Sequence, residues 1–469
     1  MMQNSRYPPG PRDWLLGYSQ VRQIRADPMA YYARLFREYG DCVHMRLGPY
    51  HDYVFYHPDQ AEEILVTKAK QFRRFRRPLD VLAQWNGRHS VIITEGAEWL
   101  RQRRLAQPAF HSRRFGKYGE VVVALTQRWM QQRQAFEIVQ EMTDLALAIN
   151  TTILFGSDVN AEAPHIGEAV AFLSSVAIRE FTQPFTLPDW LPLPGKARKR
   201  WAIRYLDETV RGIIRRWRAE GQDHGDLISM FLLAVDEEGD GRGMTDEEAR
   251  DSLVTMLLAG HDTMAAGLSW IWHALARHPE VEAKVVEEIE TVLGDRPATA
   301  NDLARLSYLE RVIKETLRLY PPAPTVLTRQ TLSEVEIGGY HLPKGSLVHV
   351  FAAVTQRDPR WFPEPEKFDP EHFAPERVEK LPQFAYFPFG GGPRVCIGNS
   401  LAMMTMTLVT ATVMQRLRLA LAPEQGPVEW ELLMSLRPKR SLRMMARPRE
   451  TLSAARGLAE KSPEPATTS

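Results

Sequence analysis

The chain has 469 residues, 44% of them hydrophobic and 25% charged, with a formal charge of +1. These proportions exclude fibrous, collagenous and wholly disordered classes, and the balanced charge gives no electrostatic ground for binding nucleic acid. Two cysteines, Cys42 and Cys396, exclude a disulfide framework and any centre needing three or four thiolates.

The opening MMQNSRYPPGPRDW carries no apolar core after its first charges, which predicts no signal peptide and a reducing, cytoplasmic location. Residues 1–20 read as a Pro-rich lead-in, 21–448 as one domain and 449–469 as a disordered tail. A helix ends at Tyr39, with Asp27 as N-cap and Pro28 as first helical residue. Cys42–Leu47 and Tyr53–Tyr56 read as a hairpin around Gly48-Pro49. Cys42 is expected to be buried and inert, and His57-Pro58-Asp59 to open a helix.

From about 58 to 320 the pattern is helical, with segments expected at 58–67, 96–106, 115–136, 138–155, 161–180, 197–219, 225–235, 246–277, 279–293 and 308–319. The candidate after Thr245 would be about 48 Å long at 1.5 Å per residue. Its stretch Leu253–Ala276 is long enough to span a bilayer, but Asp262 near the middle carries an insertion cost of about 2.5–3.5 kcal/mol. A buried helix is the reading, with no transmembrane segment. The basic stretch Lys196–Arg218 reads as a solvated helix face. The apolar Phe185–Pro194 before it could make peripheral membrane contact.

Short strands are expected at 326–331, 334–337 and 347–351, then a Pro-rich run from Asp358 to Pro388 without periodicity. Such runs inside a domain are usually functional. A last apolar helix spans about 399–417, where Met403, Met404 and Met406 fill core. The fold class is mainly α with a minor β subdomain.

The densest chemical signal is Phe389-Gly390-Gly391-Gly392-Pro393-Arg394-Val395-Cys396-Ile397-Gly398. Glycines let the backbone pack closely against a flat ligand. A cysteine at a helix mouth receives backbone N–H groups and the positive dipole end, which favour thiolate. One thiolate on such a loop suits an axial ligand of haem iron, and Arg394 could pair with a propionate. Neither the phosphate-loop nor the dinucleotide-loop spacing fits. A nucleophilic or structural cysteine stays open at this point.

The run matches FxxGxRxCxG, and the chain resembles the cytochrome P-450 (haem-thiolate monooxygenase) family over about residues 20–445. The resemblance implies the P-450 fold, with haem b between the long central helix and the loop of Cys396, the iron ligand. Phe389, Gly392, Arg394 and Gly398 belong to that loop. Ala259-Gly260-His261-Asp262-Thr263 resembles the oxygen-activation segment. There Ala259 and Gly260 would border the haem, with Gly260 leaving room over it. A carboxylate beside a hydroxyl, Asp262 and Thr263, would organise water to relay protons. Met264 follows where the family usually has Thr or Ser.

Glu315 and Arg318 match the family's ExxR pair, and three residues apart they share a helix face. The third partner, usually an arginine, is replaced by His372 in Pro370-Glu371-His372-Phe373, which implies a weaker, pH-dependent bond. Trp99, Arg103 and Arg329 match propionate-binding positions.

The activity implied is insertion of one oxygen atom from O2 into a lipophilic substrate. Electrons from NAD(P)H would arrive through a separate ferredoxin or flavoprotein, attracted by Arg101, Arg104, Arg113 and Arg114. The alternatives are a peroxygenase or isomerase, against which Asp262 and Thr263 argue, and a non-catalytic haem sensor.

Overall fold

The computed structural model describes residues 7–13, 17–131, 135–156, 163–182, 187–439 and 442–449. The expected disordered tail therefore lies outside the described residues apart from Arg449. The lead-in is fastened to the body: Pro8 is buried, and the Pro9 carbonyl accepts from the His44 amide. A first helix already begins at Tyr18.

Helices dominate, and their ends follow local chemistry. Asp27 caps Pro28–Tyr39 by accepting from the Ala30 amide at 2.8 Å. His57 caps Pro58–Glu62, as expected, and the expected helix 58–67 continues as a π-turn over Glu63–Thr67. The helix Arg76–Asn86 was not expected from the sequence. Its apolar residues Leu79, Val81, Leu82 and Trp85 form its buried face.

The long helix Asp246–Arg277 is confirmed and crosses the domain. Thr245 and Glu248 form a reciprocal capping box, and three acidic residues in the first turn oppose the helix dipole. It packs most extensively against Ile138–Phe155. Almost every residue from Ala249 to Leu275 is buried, as an all-round apolar core helix requires. Among the described residues no helix is long and apolar enough to cross a membrane.

The β part centres on a five-stranded sheet ordered Cys42–Leu47, Tyr50–Phe55, Leu347–Val350, Arg329–Thr331, Phe72–Arg74. The hairpin is tighter than expected, with Leu47 paired directly to Tyr50. Among the described residues three smaller sheets include the hairpin Trp430–Leu432/Leu436–Pro438, which the sequence pattern did not reveal. The last helix stops at Met414 and gives way to a strand at Leu417. Cys42, Met404 and Met406 are core residues.

One surface reading is corrected. Lys199, placed on a solvated face, is buried. Its Nζ donates to Gln84 at 2.6 Å and to both Glu180 oxygens at 2.9 Å, joining three helices. Of the segment expected to touch a membrane, the described part exposes Leu187, Trp190 and Leu193.

Candidate functional site

The cysteine loop is closed by two backbone bonds, from Cys396 N to Phe389 O and from Val395 N to Gly392 O, each 3.0 Å. Gly392 has φ +66°, and a Cβ there would lie 1.9 Å from the Leu65 carbonyl oxygen. Only glycine permits both the dihedral and the approach. Gly398 caps the helix Asn399–Met414, and its amide donates to the Cys396 sulfur. Burial nonetheless raises the thiol above its ordinary value, opposed by that amide and by Arg103. Burial and the helix mouth thus act in opposite directions on this sulfur.

Cys396 lies deep enough for this desolvation yet keeps accessible surface. Both facts hold for a side chain facing an interior space. The long helix shows the same sign. Ala259 and Thr263, one turn apart, are the two exposed residues of the stretch Ala249–Leu275. The Thr263 hydroxyl donates to the Ala259 carbonyl at 2.9 Å.

Asp262 departs from its neighbour. It is buried, and Ser435 donates to its Oδ2 at 2.7 Å, while Arg437 Nη1 lies 3.7 Å from Oδ1. The carboxylate thus faces the C-terminal hairpin rather than lying beside the Thr263 hydroxyl. At Gly260 a Cβ would sit 3.0 Å from the Asn150 amide nitrogen, so its bareness serves contact with Ile138–Phe155. Asn150 uses that proximity to donate to the Leu257 carbonyl at 3.0 Å.

Two of the expected arginines, Arg394 and Arg329, lie near one carboxylate, Glu95. Arg394 pairs with Glu95 at 2.5 Å and stacks over Trp99 at 3.9 Å from the ring centroid. Arg74, which sequence reading missed, pairs with the same Glu95 at 2.8 Å and donates to the Ile92 carbonyl at 2.6 Å. Arg329 is buried, with the Leu327 carbonyl at 2.8 Å as its hydrogen-bond acceptor. Burial, then repulsion from Arg74, lowers Arg394 to about 9 and Arg329 to about 10. Three guanidiniums against one carboxylate leave positive charge uncompensated, a cradle suited to an added dianion. Arg103 bonds the Val395 carbonyl at 2.9 Å, bracing the cysteine loop.

The ExxR pair is fully buried. Arg318 Nε and Nη2 grip Glu315 at 2.7 and 2.8 Å. The guanidinium also donates to the carbonyls of Gln356, Pro365 and Lys367. His372 joins through Nδ1 at 3.1 Å from Glu315 and Nε2 at 2.8 Å from the Pro363 carbonyl. The Pro-rich run is thereby pinned to the helix Ser307–Leu319.

Half of the expected basic docking patch is consumed internally, while Arg113 stays exposed. Arg101 pairs with Glu248 at 2.6 Å and Asp240 at 3.2 Å, and Arg104 grips Asp236 with two bonds of 2.6 and 2.7 Å. Arg114 reaches Asp223 only at 3.9 Å. A cavity of about 610 Å³ opens beside Tyr50, Phe75, Val81, Gln84 and Gln330.

The residues fit a haem: an interior-facing thiol, a glycine loop, a bare helix strip opposite in kind, and surplus buried cations for two propionates. The family model for Cytochrome P450 matches residues 8–444. Two Streptomyces melanosporofaciens proteins are similar. "Cyclooctatin synthase" is 36% identical over 82% of this chain and 84% of its own, and "Cyclooctat-9-en-7-ol 5-monooxygenase" 34% over 87% and 88%. "Pentalenene oxygenase" of Streptomyces avermitilis is 32% identical over 87% of this chain and 91% of its own. The crystal structure of the cytochrome P450DA heme domain superposes with TM-score 0.84 at 24% identity, covering 95% of this chain and 98% of that one. Haem is the family's cofactor, and with nearly the whole chain matched, this protein belongs to the cytochrome P450 family of monooxygenases.

Proposed function

We propose that the chain oxygenates a polycyclic terpene skeleton, with electrons from a separate ferredoxin or flavoprotein. The observation that carries this is the similarity, across most of the chain, to three Streptomyces oxygenases whose names specify such skeletons. Two cysteines leave no thiolate set for an iron–sulfur cluster beside the haem ligand, which supports an external donor.

In this reading Cys396 would hold the iron, and Arg74, Arg329 and Arg394 would hold the propionates. When bound, the haem supplies the activation of dioxygen. The chain does the rest. Gly398 and Arg103 stabilise negative charge on the Cys396 sulfur. Ala259 and Thr263 present a small surface and one hydroxyl, which can hold water over the reacting centre. Asp262 stores a proton-accepting group behind that strip.

The test is a spin-state titration of the purified holoprotein with cyclooctat-9-en-7-ol, pentalenene, lauric acid and a flavonoid. A low-to-high-spin shift with a terpenoid is the expected result. A shift with the fatty acid or flavonoid alone overturns the assignment.

A further inference from the structure

Asp262 is tethered to a surface charge through a single arginine. Arg437 Nε donates to Glu431 Oε1 at 2.9 Å, within hydrogen-bond range, while its Nη1 stands 3.7 Å from Asp262 Oδ1, an ion pair without a hydrogen bond. Glu431 and Arg437 occupy opposite strands of one hairpin and are register partners. Exposure falls along the chain of groups: 29% for the Glu431 side chain, 14% for Arg437 and 11% for Asp262. Ser435, fully buried between the strands, anchors the other carboxylate oxygen. The hairpin is itself held to the long helix, since Trp270 Nε1 donates to the Leu436 carbonyl at 3.0 Å.

We propose that Glu431 and Arg437 are positioning residues that gate proton entry to Asp262. Arg437 is shared between two carboxylates. Drawn to Glu431, it leaves Asp262 Oδ1 able to accept a hydrogen bond from water arriving along the hairpin. Drawn to Asp262, it occupies that oxygen and blocks the exchange. A guanidinium stays protonated, so Arg437 carries no proton itself and acts only by position. A proton taken up by the Asp262 carboxylate as a carboxylic acid is returned to water once the side chain turns from Ser435 and the hairpin toward the Thr263 side, and Asp262 ends as it began. The inference rests on the oxygenase reading of the site.

The experiment compares Glu431→Gln, Arg437→Gln and the double variant as holoproteins. NAD(P)H oxidation by a surrogate ferredoxin and reductase is followed in H2O and D2O without added substrate. Weakening the Glu431 side should slow oxidation about tenfold and raise the solvent isotope effect, while the double variant should run within about twofold of Arg437→Gln. A structural role would instead give the same loss in both backgrounds. The second readout needs no turnover. The infrared carboxylate stretch of Asp262 is isolated in haem-free protein as the difference from each Asp262→Asn counterpart. It should shift in Glu431→Gln and not when the same change is added to Arg437→Gln. Wild-type rate in Glu431→Gln, equal losses in both backgrounds, or an unshifted band overturns the proposal. Failure of the oxygenase reading would show separately, as absent NAD(P)H oxidation in the wild type with the infrared shift intact.

Discussion

His372 Nδ1 lies 3.1 Å from Glu315 Oε1, an oxygen that already accepts from Arg318 Nη2 at 2.8 Å and the Asp369 amide at 2.9 Å. Both histidine nitrogens face acceptors, so the ring meets both only when each nitrogen carries hydrogen. The histidine thus ties the buried Glu315 to the Pro363 carbonyl. His372→Asn can donate to only one of the two and His372→Phe to neither. The expected loss is about 1–3 kcal/mol for Phe and less for Asn, read from denaturant melts. Arg318→Met should cost more, about 3–5 kcal/mol, because it strands the buried Glu315 charge. Equal stability of all three variants would show that the network contributes nothing.

The Cys396 assignment predicts a red-shifted Soret band in the reduced protein with carbon monoxide. Cys396→His should lose that band while retaining the helical circular dichroism. Persistence of the band would exclude Cys396 as the ligand.

The arginine cradle predicts opposite effects with and without haem. Arg329 has the Leu327 carbonyl as its hydrogen-bond acceptor, and burial and Arg74 hold it down to about 10. Removing an uncompensated buried charge relieves the haem-free protein, whereas the haem-bound protein loses a propionate partner. Arg329→Met should therefore raise the melting temperature of the haem-free chain by a few degrees. Haem transfer to apomyoglobin should become about tenfold faster. A fall in the haem-free melting temperature together with faster haem transfer would mark Arg329 as structural.

Thr263 and Asp262 should separate functionally, because the structure separates their side chains. Thr263→Ala removes a hydroxyl on the interior strip. With an identified substrate it should raise peroxide released per NAD(P)H at unchanged haem content. Asp262→Asn should mainly slow turnover, by at least about tenfold, at nearly unchanged coupling. Identical phenotypes would contradict the divergence seen here.

His273, buried on the long helix, is lowered to about 4 by burial, then by Arg277 and His278. A histidine depressed in the fold stabilises it fully above its unfolded value near 6.5. That contribution is lost as pH falls from about 6.5 through 4, to a limit of about 3 kcal/mol. His273→Phe should flatten the acid limb of the stability profile in that window. An unchanged limb would place the acid sensitivity elsewhere.

The sequence by itself determined the long helix, the cysteine loop and the ExxR pair, because each is local. Thr245 with Glu248, Gly392 before Cys396, and Glu315 three residues from Arg318 are patterns that neighbouring backbone geometry can satisfy unaided. Tertiary structure alone decided where long charged side chains went. Arg74 reaches Glu95 across 21 positions, Arg101 reaches Glu248 across 147, and Ser435 reaches Asp262 across 173. A flexible side chain several bonds long can serve solvent, a cofactor or a distant carboxylate with the same local sequence. The choice is made by whichever partner the packed fold leaves within a few ångströms, since a buried charge must be met. So the basic run at Arg101 and Arg104 became internal ion pairs, Lys199 became a buried tie, and Asp262 turned to a hairpin that no local pattern announced.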